Sequence, residues 1–380
     1  MKWIKGLLVC FLLLGCQSTT TNKETTDTKE EITENRVSMT AVGDNLMHQR
    51  LLDCAKTDSG YDFSNYYTNI KKYIQKADIA FVNQETVLGG KDLTYAGYPN
   101  FNTPDEMAQN LHDVGFDVLN GATNHSLDKG NAGLLHSIKV FKKFEDMKYI
   151  GLYDSKEARD NIVVMNKNGI KIAFLSYNQM NNGHKMPNSY CLNLFDEDTI
   201  KKDVENAKEI SDFVVLSCHW GNEYDTKQNS FQSQYAKLFA DLGVDVILGT
   251  HSHTLQPVEW VEGKDGHKTL VAYSLGNFVS GMVEEETQLE GMLSYDLVKK
   301  DNKCTIENVT LTPLMNHYEV SNKNDVIGTR KGFTVYRLKD YTDELAKKHG
   351  LNGYDNIQIS ISKMKQKVKE RMTSDIQIDM

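Results

Sequence analysis

Short apolar, β-branched runs recur along this chain, separated by longer stretches of helical character, and most of them end abruptly in carboxylate, amide or imidazole groups. The runs fall at 37–42, 79–82, 118–120, 172–177, 213–218, 244–248 and 270–274. Helix candidates lie between them at 105–114, 134–144, 199–210 and 230–242. Strands that are apolar almost throughout are covered on both faces, so the alternation predicts an α/β architecture with strands between helical layers.

The polar groups sit where such a fold builds sites, beyond the carboxyl ends of strands. Gly43-Asp44 follows the first run and Asn83-Gln84-Glu85 the second. Asn124-His125 with Asp128 follows the third. Later come His219-Trp220-Gly221-Asn222-Glu223, then His251 and His253 after Gly249, then Ser274-Leu275-Gly276-Asn277. Carboxylates, imidazoles and a primary amide form a mixed oxygen and nitrogen set. That set suits Mn, Fe or Zn, one ion or two, and suits neither a thiolate site nor a calcium cage. Asp44 and Glu85 would offset cationic charge, Asn124 would offer a neutral oxygen, and a metal-activated water would be the nucleophile. His125 is placed to donate a proton or stabilise developing charge, with Asp128 fixing its tautomer. His251 and His253 would point apart in extended backbone, so they share a cavity only at a tight turn.

Each piece taken singly has a structural explanation. Asp44 could cap a helix, Glu85 could be a buried hydrogen-bonded acid, His219 a core histidine and Asn124 a turn residue. His48 reads as surface or core, and His112, His136, His184, His267, His317 and His349 have no matching context. The constellation therefore stands on a spatial condition: Glu85 must lie within about 10 Å of His219 and His253 to share a site of one or two ions.

Composition narrows the partners. The 380 residues are 39% hydrophobic and 25% charged, with a formal charge of −9. Lys2 and Lys5 precede an apolar run at 6–14 that is too short to span a bilayer. The run ends in Leu13-Leu14-Gly15-Cys16, which resembles a bacterial lipoprotein signal with Cys16 as the lipidated residue. Removing the signal takes away Lys2 and Lys5 and no acids, so the charge moves to −11. An acidic surface argues against nucleic acid, and membrane attachment would come from the lipid, outside the cytoplasm. Residues 17–35, rich in Thr, Lys and Glu, read as a disordered tether. Cys54, Cys191, Cys218 and Cys304 have no framework spacing. Beyond a hairpin centred on Lys299–Lys303, the segment 318–380 holds a strand-like 332–338 and two charged helical stretches.

In order, Gly43-Asp44, Asn83-x-Glu85, Asn124-His125-x-x-Asp128-x-Gly130, His219-Trp220-Gly221-x-Glu223-Tyr224, Gly249-x-His251-x-His253-x-x-Gln256 and Tyr273-Ser274-Leu275-Gly276-Asn277-Phe278 resemble the CapA family of poly-γ-glutamate capsule biosynthesis proteins, related to calcineurin-like metallophosphoesterases. The resemblance spans roughly 36–315. It implies a metallophosphatase-like four-layer α/β/β/α sandwich at 36–317 with a short helical extension at 318–380. It makes Asp44, Glu85, Asn124, His219, His251 and His253 metal-site residues, His125 and Asp128 catalytic, and Asn83, Glu223 and Asn277 substrate-binding. Two departures stand out. Metallophosphoesterases usually begin with D-x-H, but here the third position is Leu46, and Asn83-Gln84-Glu85 stands where a bridging Asp is usual. Three functions fit: metal-assisted hydrolysis or transfer at a phosphoester or at an amide of an anionic γ-linked glutamate polymer, non-catalytic binding of that polymer beside membrane synthase subunits, and a surface phosphoesterase acting on nucleotides or wall polymers.

Overall fold

The computed structural model describes residues 34–301 and 303–380. The processing signal, Cys16 and most of the expected tether lie outside the described residues. The strands are β1 (Glu34–Asn45), β2 (Ile79–Gln84), β3 (Val118–Asn120), β4 (Lys148–Ile150), β5 (Val163–Lys167), β6 (Ile170–Asn178), β7 (Phe213–His219), β8 (Val246–Thr250), β9 (Val258–Glu262), β10 (Lys268–Ala272), β11 (Asn277–Val279), β12 (Leu289–Lys300), β13 (Lys303–Val320), β14 (Arg330–Arg337) and β15 (Gln377–Ile378). They form two sheets. One runs β14-β13-β12-β1-β2-β3-β4, with β11 beside β1 and β15 beside β13; the other runs β5-β6-β7-β8-β10-β9. Within the first sheet β1 through β4 are parallel, and within the second β6, β7, β8 and β10 are parallel.

Side-chain alternation shows how the layers stack. In β7, Phe213 and Val215 join the large core shared with the first sheet, while Val214, Leu216 and Cys218 join a separate core. β8 and β10 divide the same way, with Val246, Leu248, Leu270 and Ala272 on one side and Ile247 and Val271 on the other. Successive residues of a strand face opposite ways, so the second sheet is sandwiched. Its outer face is covered by the helices Glu197–Ile210 and Ser230–Leu242, through Ile200, Val204, Ala236 and Phe239. The second helix starts on a capping box in which Asn229 and Gln232 satisfy each other's backbone N–H groups. Burial on both faces explains why β2 and β7, fully buried along their lengths, read as continuous apolar runs.

Two close approaches bring the strand ends together. A side-chain carbon on Gly43 would stand 1.8 Å from the Gly276 carbonyl, and one on Gly249 would stand 2.0 Å from that of Tyr273. Only glycine lets these backbones meet. The Asp44 N–H then donates to the Gly276 carbonyl at 2.9 Å, which locks β11 beside the end of β1.

Two segments differ from expectation. Glu34 and Asn35, assigned to the tether, already pair with Lys300 and Lys299 as the start of β1. The segment from 318 does contain helices at Asp343–Lys348 and Ile361–Arg371. It also supplies β14 and β15 to the first sheet, and Phe333, Val335, Leu351, Met364 and Val368 to the large core. It is woven into the sandwich rather than laid over it, because β13 would otherwise present an unpaired edge. Cys54, Cys191, Cys218 and Cys304 are unpaired thiols. No helix among the described residues is long and apolar enough to cross a membrane.

Candidate metal centre

Asp44 ends β1, Glu85 follows β2, His219 ends β7, and His251 and His253 follow β8. Parallel strands deliver all of these at one rim. The Glu85 carboxylate lies 3.9 Å from the His219 Nε2 and 3.7 Å from the His253 Nε2. The spatial condition set by the sequence is met. His253 Nδ1 stands 3.2 Å from Asp44 Oδ2 and 3.0 Å from Asn277 Oδ1. The His219 and His251 rings lie 4.7 Å apart between centroids, and those of His251 and His253 6.0 Å apart.

The turn that makes this possible is strained. His251 and His253 adopt φ of 93° and 58°, a region that side chains with a Cβ rarely occupy. Conformations of that kind cost about 1–3 kcal/mol each and persist where the surroundings impose them. Here they turn both imidazoles into one cavity, against the opposite orientations that extended backbone would give.

The polar atoms are left in need of a cation. Glu85 is 1% exposed, and neither carboxylate oxygen has a hydrogen-bond partner among the described residues; the same holds for His251 Nδ1. Ligand atoms of Glu85, His219 and His251 fall within 4.8 Å of one another, as do those of Asp44, Glu85 and His253, and of Glu223, His251 and His253. Burial raises the Glu85 carboxyl well above the usual range, with His253 opposing and Asp44 adding to the rise. Burial works against charge on His253, but Glu85 and Asp44 outweigh it and push that imidazole up to about 9. Burial, helped by neighbouring imidazoles, holds His251 down at about 3 and His219 well below its ordinary value. The neutral His219 and His251 rings beside the unpartnered Glu85 carboxylate are a donor set a divalent ion takes, with His253 giving up its proton to join them, so the residues fit one.

Around this group the remaining candidates divide. Asn124 Oδ1 meets His219 Nε2 at 2.9 Å, and Thr250 Oγ1 meets the other ring nitrogen at 2.9 Å. Asn83 and Asn277 are fully buried. Asn83 donates to Asp44 at 2.6 Å and accepts from Asn120 at 2.7 Å, so it orients the carboxylate and has no side-chain atom free for substrate. Asn277 orients His253. Glu223 is exposed and lines the open cavity above the centre. His125 lines it too, 6% exposed, with Nδ1 2.7 Å from Asp128 Oδ2. That oxygen also accepts the Phe101 N–H at 2.7 Å, which fixes it as an acceptor toward the ring.

The cavity has a volume of about 570 Å³ and includes His48, His184 and Arg330, which sequence reading passed over. His184 Nε2 lies 3.5 Å from the second Asp128 oxygen, and His48 packs edge-on against Phe101. His48 comes soon after β1 but without ligand spacing, and His184 lies well beyond the end of β6, so neither was marked by a local signal. Tyr224 also lines the cavity, whereas the neighbouring aromatics Trp220 and Phe278 belong to the cores.

Fold and site together define an α/β sandwich with a buried carboxylate–imidazole centre at its strand ends. The sequence model described as Bacterial capsule synthesis protein PGA_cap matches residues 38–282, and the chain belongs to that family. The capsule biosynthesis protein CapA of Bacillus anthracis is 30% identical over 287 residues, covering 72% of this chain and 66% of that protein. The PGA biosynthesis protein CapA of Bacillus subtilis (strain 168) is 32% identical over 203 residues, 53% of this chain and 52% of that one. This chain thus spans between half and two thirds of the relatives' lengths. Among solved structures, a phosphatase from Mycoplasma pneumoniae aligns at 14% identity over 74% of this chain and 94% of its own, with a TM-score of 0.48. A putative 5'-nucleotidase from Staphylococcus aureus aligns at 13% identity over 73% of this chain and 54% of its own, also with a TM-score of 0.48.

Proposed function

We propose that this chain is a lipid-anchored cell-surface protein of γ-linked glutamate capsule synthesis or export, working through a metal-dependent hydrolase-like site. The observation that carries the reading is the Glu85 carboxylate, buried and unpartnered among His219, His251 and His253. Asp44, Glu85, Asn124, His219, His251 and His253 would hold Mn, Zn or Fe. Such an ion supplies Lewis-acid polarisation of a substrate oxygen when bound. The chain's own residues do the rest. Asp128 accepts from His125 Nδ1, which fixes the tautomer, and the other ring nitrogen has no partner among the described residues. In that tautomer the other nitrogen is a base: His125 can take a proton there and, once it carries one, pass it to a leaving group that enters the cavity. Membrane synthase subunits are the partners this role calls for, and Cys16 is the point of anchorage.

Deleting the chain from its bacterium is expected to abolish surface γ-glutamate polymer, with rescue by wild type and none by His253→Ala. Polymer that persists without the chain contradicts the proposal. Cys16→Ala is expected to move the protein from the membrane fraction to the medium; unchanged fractionation contradicts the anchor.

The His125–Asp128 pair beside the centre favours one second reading, a surface phosphoesterase. Turnover of a generic aryl phosphate by the purified chain, lost in His125→Ala, would establish it; no turnover at any metal loading would dismiss it.

A further inference from the structure

No carboxylate among the described residues accounts for the burial of Arg330. It opens β14, beyond the segment matched by the family, and is 5% exposed. Among the described residues no carboxylate forms an ion pair with it. Buried guanidinium groups are ordinarily paired, because taking the charge out of water costs several kcal/mol. Two carbonyls hold this one in place: Nε donates to Ile327 at 3.1 Å, and Nη1 donates to Gly281. The Tyr318 ring lies 5.6 Å from its central carbon. Nη2 makes no well-formed hydrogen bond among the described residues, with the Tyr318 hydroxyl as its polar neighbour. The guanidinium is thus fixed in orientation, with its outer nitrogen uncommitted.

Arg330 also lines the cavity that holds Asn124, His125, Glu223 and His253. Among the described residues lining that space it is the sole Lys or Arg, and Glu223 and Glu284 are acids. The mouth carries large apolar groups in the open: Tyr98 is 75% exposed, Ile327 53% and Tyr224 46%. A formal charge of −9 repels an anion overall, so an anionic substrate needs a local cation to enter. A guanidinium fork matches a carboxylate or a phosphate group.

We infer that Arg330 binds an oxyanion of the substrate, carboxylate or phosphate, in the cavity it shares with His125 and His253, while the apolar rim covers the carbon chain next to it. The inference deepens the proposed function and rests on its reading of the cavity as the substrate site. It assigns the C-terminal segment a direct part in specificity.

Calorimetric titration of the full chain tests it, with orthophosphate and separately with a γ-linked glutamate oligomer, after EDTA and again with added Mn²⁺. Arg330→Gln is expected to weaken binding by about tenfold or more, the worth of one charge-assisted hydrogen bond. Weakening of phosphate alone assigns the anion to phosphate, and weakening of the oligomer alone assigns it to carboxylate. Affinities for both equal to wild type overturn the inference. Arg330→Lys keeps the charge and guards against misfolding; it is expected to bind more weakly than wild type, and an unaltered affinity in whichever variant keeps the wild-type melting temperature also overturns it. Elemental analysis of the same samples separates the two readings. Loss of metal throughout sinks the metal centre and leaves the Arg330 effect measurable, whereas full metal with unaltered affinity sinks Arg330 alone.

Discussion

Glu85 illustrates how a single side chain exposes the purpose of its surroundings. A carboxylate without hydrogen bonds at 1% exposure is costly to keep, and Gln would fit the same space without the charge. Glu85→Gln is therefore expected to leave the metal-free melting temperature unchanged or higher, while abolishing any rise on addition of Mn²⁺. A variant that melts lower without metal and still responds to it would make Glu85 a structural acid. At Asp128, Asn could still accept the Phe101 N–H but not hold the His125 tautomer as firmly. Asp128→Asn is expected to cut metal-dependent turnover by about 10²- to 10⁴-fold, read with an aryl phosphate. Most of these residues were legible because each ends an apolar run: Asp44, Glu85, His219 and His251 are announced by the strands before them. His184 and Arg330 were not, because they reach the cavity through packing between distant segments, and nothing beside them in sequence records that; His48, just past β1, was set aside because its neighbours offer no ligand spacing.

At the level of elements, the buried strands were the readable ones. Residues 118–120 and 213–218 stood out since both their faces are covered, so their runs lack polar interruption. β5 and β9 were invisible because half-buried edge strands mix Val with Lys, Glu and Asn. β11 and β15 are too short to carry a pattern. The join between β13 and the C-terminal segment adds a pH response. His349 donates from Nε2 to the Asn316 carbonyl and accepts the Leu351 N–H at Nδ1, both at 3.1 Å, so only the neutral ring satisfies both bonds. Burial lowers His349 to about 3 and His317 to about 4. An unfolded histidine takes up its proton near pH 6.5, while these two resist it. Their contribution to stability is full above about pH 6.5 and drains away as pH falls toward 4 and 3. Amide exchange is expected to rise first around Asn316 and 341–351 over that range. Uniform protection down to pH 4 would contradict the assignment.

For the molecule as a whole, one sandwich positions the centre, and the C-terminal segment is part of it. Phe333, Val335, Met364 and Val368 are buried to 1% exposure or less. Removing aromatic and large aliphatic side chains from a core costs about 2–5 kcal/mol each, and a domain's stability is only about 5–15 kcal/mol. A chain ending at 320 is therefore expected to be insoluble or molten, read by the loss of near-ultraviolet circular dichroism. A cooperative melt in that truncation would show the segment to be dispensable. The same integration explains why a helical extension is only part of what the segment contributes. The helices Asp343–Lys348 and Ile361–Arg371 were visible as charged amphipathic stretches and β14 as the strand-like 332–338, but the pairing of β14 and β15 with β13 is encoded by no local pattern.

The measurement that bears most directly on the whole account is elemental analysis of the purified chain beside His219→Ala. At least one equivalent of Mn, Fe or Zn in wild type, and a loss of about tenfold or more in affinity for that metal in the variant, is the result expected of a ligand imidazole. Wild-type protein that takes up no metal in stoichiometric amount, or a variant that holds as much as wild type, would contradict it.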